Sequence, residues 1–137
     1  MRNIFLVLMT LAVTPFCVYA VDGVVLINQS TVMAAGGFPY IINQSGSYKL
    51  SGNLIVQQTG TSAIMIAASN VTLDLNGFTI QGPPQTCNGS ICTPVYGIAA
   101  PSIQTNITVR NGSIVGFGSR LSLIDSSEKI VGGFRLG

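Results

Sequence analysis

Histidine and tryptophan are absent from this 137-residue chain, and only four carboxylates stand against six basic residues. Each shortage excludes something. Without His, no side chain has an ordinary pKa between about 5 and 8, so general acid–base catalysis near neutral pH would need a strongly perturbed group. With charged residues at 7% there is no cluster of Lys and Arg to meet phosphates, and nucleic acid is not an expected partner. No apolar run reaches the roughly 20 residues that a spanning helix needs.

The longest such run, Ile4–Val13, follows Arg2 and precedes Val18-Tyr19-Ala20. A basic start, a short apolar stretch and small residues at its end predict a signal peptide over 1–20, with cleavage before Val21 and no membrane span afterwards. Phe16 ahead of Cys17 argues against a lipoprotein. The expected location is therefore secreted, periplasmic or at the cell surface. Of the three cysteines, Cys87 and Cys92 in CNGSIC remain after such processing. In an exported protein they are expected to pair, closing a short loop for about 2 kcal/mol. The rival is a metal or redox pair; without His or a second Cys pair, zinc lacks ligands. No cofactor is expected.

What the chain does contain is a repeat. Residues 62–82, SAIMIAASNVTLDLNGFTIQG, align without a gap on 96–116, YGIAAPSIQTNITVRNGSIVG, at an offset of 34. Matching the triplets at Asn70 and Asn106 gives 36 instead. Both offsets are even, so either sends the same side chains inward if these are strands. The apolar spacing is two: Val71, Leu73, Leu75 and then Ile107, Val109. That is the strand period. Asn76-Gly77 and Asn111-Gly112 are read as breaks where the backbone turns with positive φ. Residues 46–56 (GSYKLSGNLIV) look like an earlier partial copy and 121–136 like a degraded later one. The Pro-rich stretch 83–95 is an insertion carrying the cysteines. Short coils that cannot bury their own apolar face are expected to stack into one core containing Leu73, Leu75, Ile80, Ile107, Val109 and Ile114.

The run VTLDLNGFTIQG, then YGI and NITVRNGSIVGFG, with GSYKLSGNL ahead of them, resembles the secreted right-handed parallel β-helix proteins of the pectate-lyase-like superfamily, over roughly 38–118. The resemblance implies an all-β solenoid of about three to four coils, an entry or cap segment over 21–45 and coils over 46–137. The family is functionally mixed, so the resemblance implies polysaccharide as the partner class and leaves open a non-catalytic module, a lyase or hydrolase fragment, or a surface interaction protein.

Few residues are candidates for chemistry. Asp74 and Arg110 alternate with apolar neighbours and are expected to face outward. A catalytic or calcium-binding role would need further carboxylates, and Asp125 and Glu128 lie in the weakest copy. An exposed ion pair is the plainer reading, and no catalytic constellation is expected. Tyr96, beside the insertion, is the best candidate for stacking on a sugar, with Arg110 and Asp74 as possible ligand contacts; Tyr40 and Tyr48 are weaker candidates. Asn70 and Asn106 stand just before strands and are expected to form an internal asparagine ladder. They belong to six Asn-x-Ser/Thr sequons, at Asn28, Asn43, Asn70, Asn88, Asn106 and Asn111, better read as turn chemistry than as glycan acceptors. Arg135-Leu136-Gly137 shows no polar cap, which leads to the expectation of a truncated stack or of end-to-end self-association through its open C-terminal coil.

Overall fold

The computed structural model describes residues 23–83, 95–123 and 129–136, the last two strands by their backbone paths alone. The expected signal peptide, the Cys87–Cys92 pair and the Asp125 and Glu128 positions lie outside the described residues. The described residues begin with β1 (Val24–Ile27) and a short helix, α1 (Gln29–Ala34). It passes through β2 (Tyr40–Ile42), β3 (Gly46–Leu50) and β4 (Leu54–Ile55), then through β5 (Ile64–Ile66), β6 (Val71–Asp74) and β7 (Thr79–Gln81). Next come β8 (Tyr96–Ala100) and β9 (Ile107–Val115), and finally β10 (Ser119–Leu123) and β11 (Lys129–Leu136).

All pairings among the described strands are parallel. One sheet runs β10-β8-β5-β2; the other runs β1-β3-β6-β9-β7-β4, with β11 also on β9. The long β9 serves twice, its first half lying against β6 and its second against β7. The fold is thus all-β, with parallel sheets and, among the described residues, one six-residue helix. Spatial neighbours are strands one passage apart in sequence: β2, β5 and β8; β3, β6 and β9; β4, β7 and β9.

The period of two explains the core. Within β6 the burial alternates, Val71 and Leu73 in, Thr72 and Asp74 half-covered. Like stacks on like: Val71 beside Ile107, Leu73 beside Val109, Ile80 beside Leu54 and Ile114. All six residues expected to form the core are fully buried. So are Leu50 and Leu54 of the earlier partial copy, and Val56 is nearly so. Both sequence offsets occur, 34 for β5 and β7 and 36 for β6. Ile64 pairs with Ile98 and Ile80 with Ile114 at 34, while Val71 pairs with Ile107 at 36. The ungapped match therefore misplaces the middle strand: Leu73 neighbours Val109, not Ile107.

The two Asn-Gly turns also differ. Asn76 and Gly77 both have positive φ, 53° and 79°, and the Phe78 N–H donates to the Leu75 carbonyl at 2.8 Å. Positive φ at both central residues is the requirement of a type I′ turn. Asn111 also has positive φ, 56°, but β9 runs on through it and Gly112 does not share the left-handed conformation. Gly112 is needed for space instead: a Cβ there would meet the Leu75 Cβ, with Leu75 Cδ1 and the Phe78 carbonyl at 2.8 Å. The expected strand break at 111–112 is a bend.

At the other end α1 covers the core with Val32, which is fully buried. Asn28 caps it by accepting the Thr31 N–H at 3.0 Å, while Thr31 Oγ1 accepts the Asn28 N–H at 2.8 Å. This reciprocal capping box offsets the weak propensity of so short a helix. Tyr48 is core, and its hydroxyl donates to the Gln44 carbonyl at 2.9 Å. Burial, reinforced by the nearby Tyr40, raises the phenol above its ordinary value of 10.0. A raised folded-state pKa contributes stability that is complete below about pH 10 and is lost as pH rises through the folded value. The melting temperature should therefore fall on the alkaline side, and Tyr48→Phe should fall less steeply there than wild type. Parallel slopes for the two proteins would remove Tyr48 as the cause.

Candidate functional site

The outer face of β3, β6 and β9 is the polar surface that the strands build most regularly. Ser47, Thr72 and Thr108 form one row across the strands, and Lys49, Asp74 and Arg110 form the next. Because the side-chain period is two, the row between them, Tyr48, Leu73 and Val109, points into the core.

Arg110 Nη2 lies 3.1 Å from Asp74 Oδ2. The pair is less exposed than expected: the Arg110 side chain is 45% accessible, but that of Asp74 only 15%. Asp74 Oδ1 also accepts the Asn76 N–H at 2.8 Å, and Asn111 Nδ2 approaches both carboxylate oxygens at 3.3 and 3.4 Å. The carboxylate thus organises the Asn76-Gly77 turn and ties it to the next passage. Asp74→Ala should cost about 1–2 kcal/mol, because a turn N–H and an amide lose their acceptor. Arg110→Ala, at the exposed end, should cost under about 1 kcal/mol. Urea unfolding of both variants would check the order, and a larger loss from Arg110→Ala would contradict it.

Asn106 Nδ2 donates to Asn70 Oδ1 at 2.9 Å. Both residues are exposed and adopt positive φ, 58° and 56°. The contact therefore runs along an outer turn, not through the interior where the sequence reading puts it. The same corner carries Ser45 Oγ donating to the Ser69 carbonyl at 2.7 Å, and Ser69 Oγ accepting the Thr105 N–H at 3.0 Å. Asn supplies both the left-handed backbone and the bond to the neighbouring passage.

Tyr96 does not join Arg110 and Asp74. It begins β8 in the four-stranded sheet, whereas Asp74 and Arg110 belong to the seven-stranded one. It is half-buried, shares strand parity with buried Ile98, and its N–H donates to Ser62 Oγ at 3.2 Å. Tyr40, also half-buried, packs against the core. Among the described residues the tyrosines thus make no exposed platform beside the charged row.

A recess between α1 and the segment around β4 has no counterpart in the sequence reading. Its volume is about 900 Å3, and Gln29, Met33, Phe38 and Ile55 are among its lining residues. The adjacent Gln57-Gln58 pair was the signal available, but an exposed amide pair reads as ordinary loop. Among the described residues no group of three or more His, Cys, Asp or Glu side chains is placed to hold a metal, and no helix is long and apolar enough to cross a membrane. Set against protein-family models, curated proteins and solved structures, the chain matches none.

Proposed function

We propose that this chain forms a secreted right-handed parallel β-helix of the pectate-lyase-like kind, a non-catalytic structural module that contacts acidic polysaccharide along the outer face of β3, β6 and β9. The passage-by-passage parallel pairing and the quoted motifs support the fold. The observation that carries the glycan contact is the row Lys49–Asp74–Arg110 beside the row Ser47–Thr72–Thr108. Together they make a line of hydrogen-bonding groups with two cations and one anion. Strands spaced about 4.8 Å apart put Lys49 and Arg110 roughly 10 Å from one another, so a chain laid across the strands meets both. What supports the non-catalytic reading is Asp74, whose oxygens are occupied by Arg110, the Asn76 N–H and Asn111.

Titrating the purified chain with oligogalacturonate should give weak, salt-sensitive binding, with a dissociation constant around a millimolar, or about −4 kcal/mol. Lys49→Ala with Arg110→Ala should abolish it while leaving the melting curve almost unchanged. Binding that survives both changes would remove this face from the proposal. Release of unsaturated or reducing sugars that disappears in Arg110→Ala would promote the lyase or hydrolase reading.

A further inference from the structure

The recess beside α1 has a different chemistry from the charged row. Its size, about 900 Å3, lies within the range of small-molecule sites, roughly 300–1,000 Å3. None of the described residues lining it is charged. Part of the lining is apolar: Met33 and Ile55 are about half exposed, and Phe38 packs partly on the core. Another part is amide. Asn53 Oδ1 accepts the Thr79 N–H at 2.9 Å, which leaves the Asn53 NH2 group as a donor. Gln57 and Gln58 are exposed, with no side-chain bond to another described residue. Gly36 and Gly37, also in the lining, have positive φ and present no side chain to the recess.

Gln29 decides what can enter. Its Nε2 donates to the Ile55 carbonyl at 3.1 Å, and its Oε1 accepts the Ile55 N–H at 3.0 Å. The side-chain amide occupies the two backbone groups that the free edge of β4 would offer an added strand. An extended peptide pairing on that edge is therefore blocked, although peptides favour such edges. An anion finds no cation here. What remains complementary is a ligand that is uncharged, apolar on one face and rich in groups that both donate and accept. Primary amides present a donor and an acceptor side by side, and sugar hydroxyls do the same.

We propose that this recess binds a short neutral saccharide, with Asn53, Gln57 and Gln58 bonding hydroxyls and Met33, Phe38 and Ile55 covering an apolar sugar face. The site is separate from the charged row and stands or falls independently of it.

The test is a heteronuclear NMR titration of the full chain with maltotetraose, cellotetraose and mannotetraose, beside tetragalacturonate and an uncharged extended hexapeptide. At least one neutral sugar should shift resonances of 29–38 and 53–58 saturably. Gln57→Ala with Gln58→Ala, exposed positions outside the core, should weaken that binding about tenfold without altering the rest of the spectrum. Lys49→Ala with Arg110→Ala should leave it unchanged. Shifts elsewhere only, no saturable shift with any neutral sugar, unchanged affinity in the glutamine variant, or tighter binding of tetragalacturonate or the hexapeptide at these residues would each overturn the proposal.

Discussion

Leu75→Ala is expected to lose about 2–5 kcal/mol, the cost of a cavity where a fully buried leucine stood. A domain of this size has only about 5–15 kcal/mol in hand, so the variant should sit close to unfolding at room temperature. Leu75 follows directly on β6, and its N–H still donates to the Arg110 carbonyl at 2.8 Å, continuing the ladder into the turn. Its neighbour Asp74 faces the other way, and its loss should cost less, about 1–2 kcal/mol. Chemical denaturation of the two variants in parallel is the measurement. Equal losses would mean that the alternation of faces at 73–75 is wrong, and the proposed stack would go with it.

Gly112→Ala should be nearly as damaging, at about 3 kcal/mol, the upper part of the usual range for overpacking. The reason is contact, since Gly112 does not occupy the left-handed region. The new methyl would meet the Leu75 Cβ, and the Phe78 carbonyl at 2.8 Å belongs to backbone that cannot swing aside. This gives a second, sharper expectation. Leu75→Ala removes the Cδ1 that also stands at 2.8 Å but keeps the offending Cβ, so it should not rescue Gly112→Ala. A double-mutant cycle should show little favourable coupling. Rescue would place the conflict in the outer part of the leucine and require a looser approach of the two passages.

The inward-facing residues were legible because burial writes itself into a period of two: Leu73, Val109, Ile80 and Ile114 follow from alternation alone. Strand register was only half legible. Two even offsets leave the faces unchanged, so hydrophobicity cannot choose between them, and the structure uses both. Asp74 illustrates another limit. Alternation places it outside, but nothing in DLNG says that the turn's own N–H, an asparagine of the next passage and Arg110 will converge on it. Gly112 looked like the second half of a turn signal, whereas the Leu75 side chain is its reason. The helix α1 was missed because six residues give too little sequence for a 3.6-residue period to appear. The Gln29 clamp on β4 spans 26 positions and is invisible to any local pattern.

The coexistence of the two offsets amounts to a vernier between successive passages. The connection ahead of β9, residues 101–106, is two residues longer than its counterpart 67–70, and the bend at 111–112 is two shorter than the turn at 75–78. The surplus and the deficit cancel, so the strands on either side return to step. Length can thus migrate from one corner to the next in pairs without exposing a single core residue. A change of one residue inside a strand would turn that strand's oily side to water, whereas a corner outside the strands is free of this parity. Relatives built on the same plan should therefore carry compensated two-residue shifts around a passage and keep odd-length changes to the connections between strands.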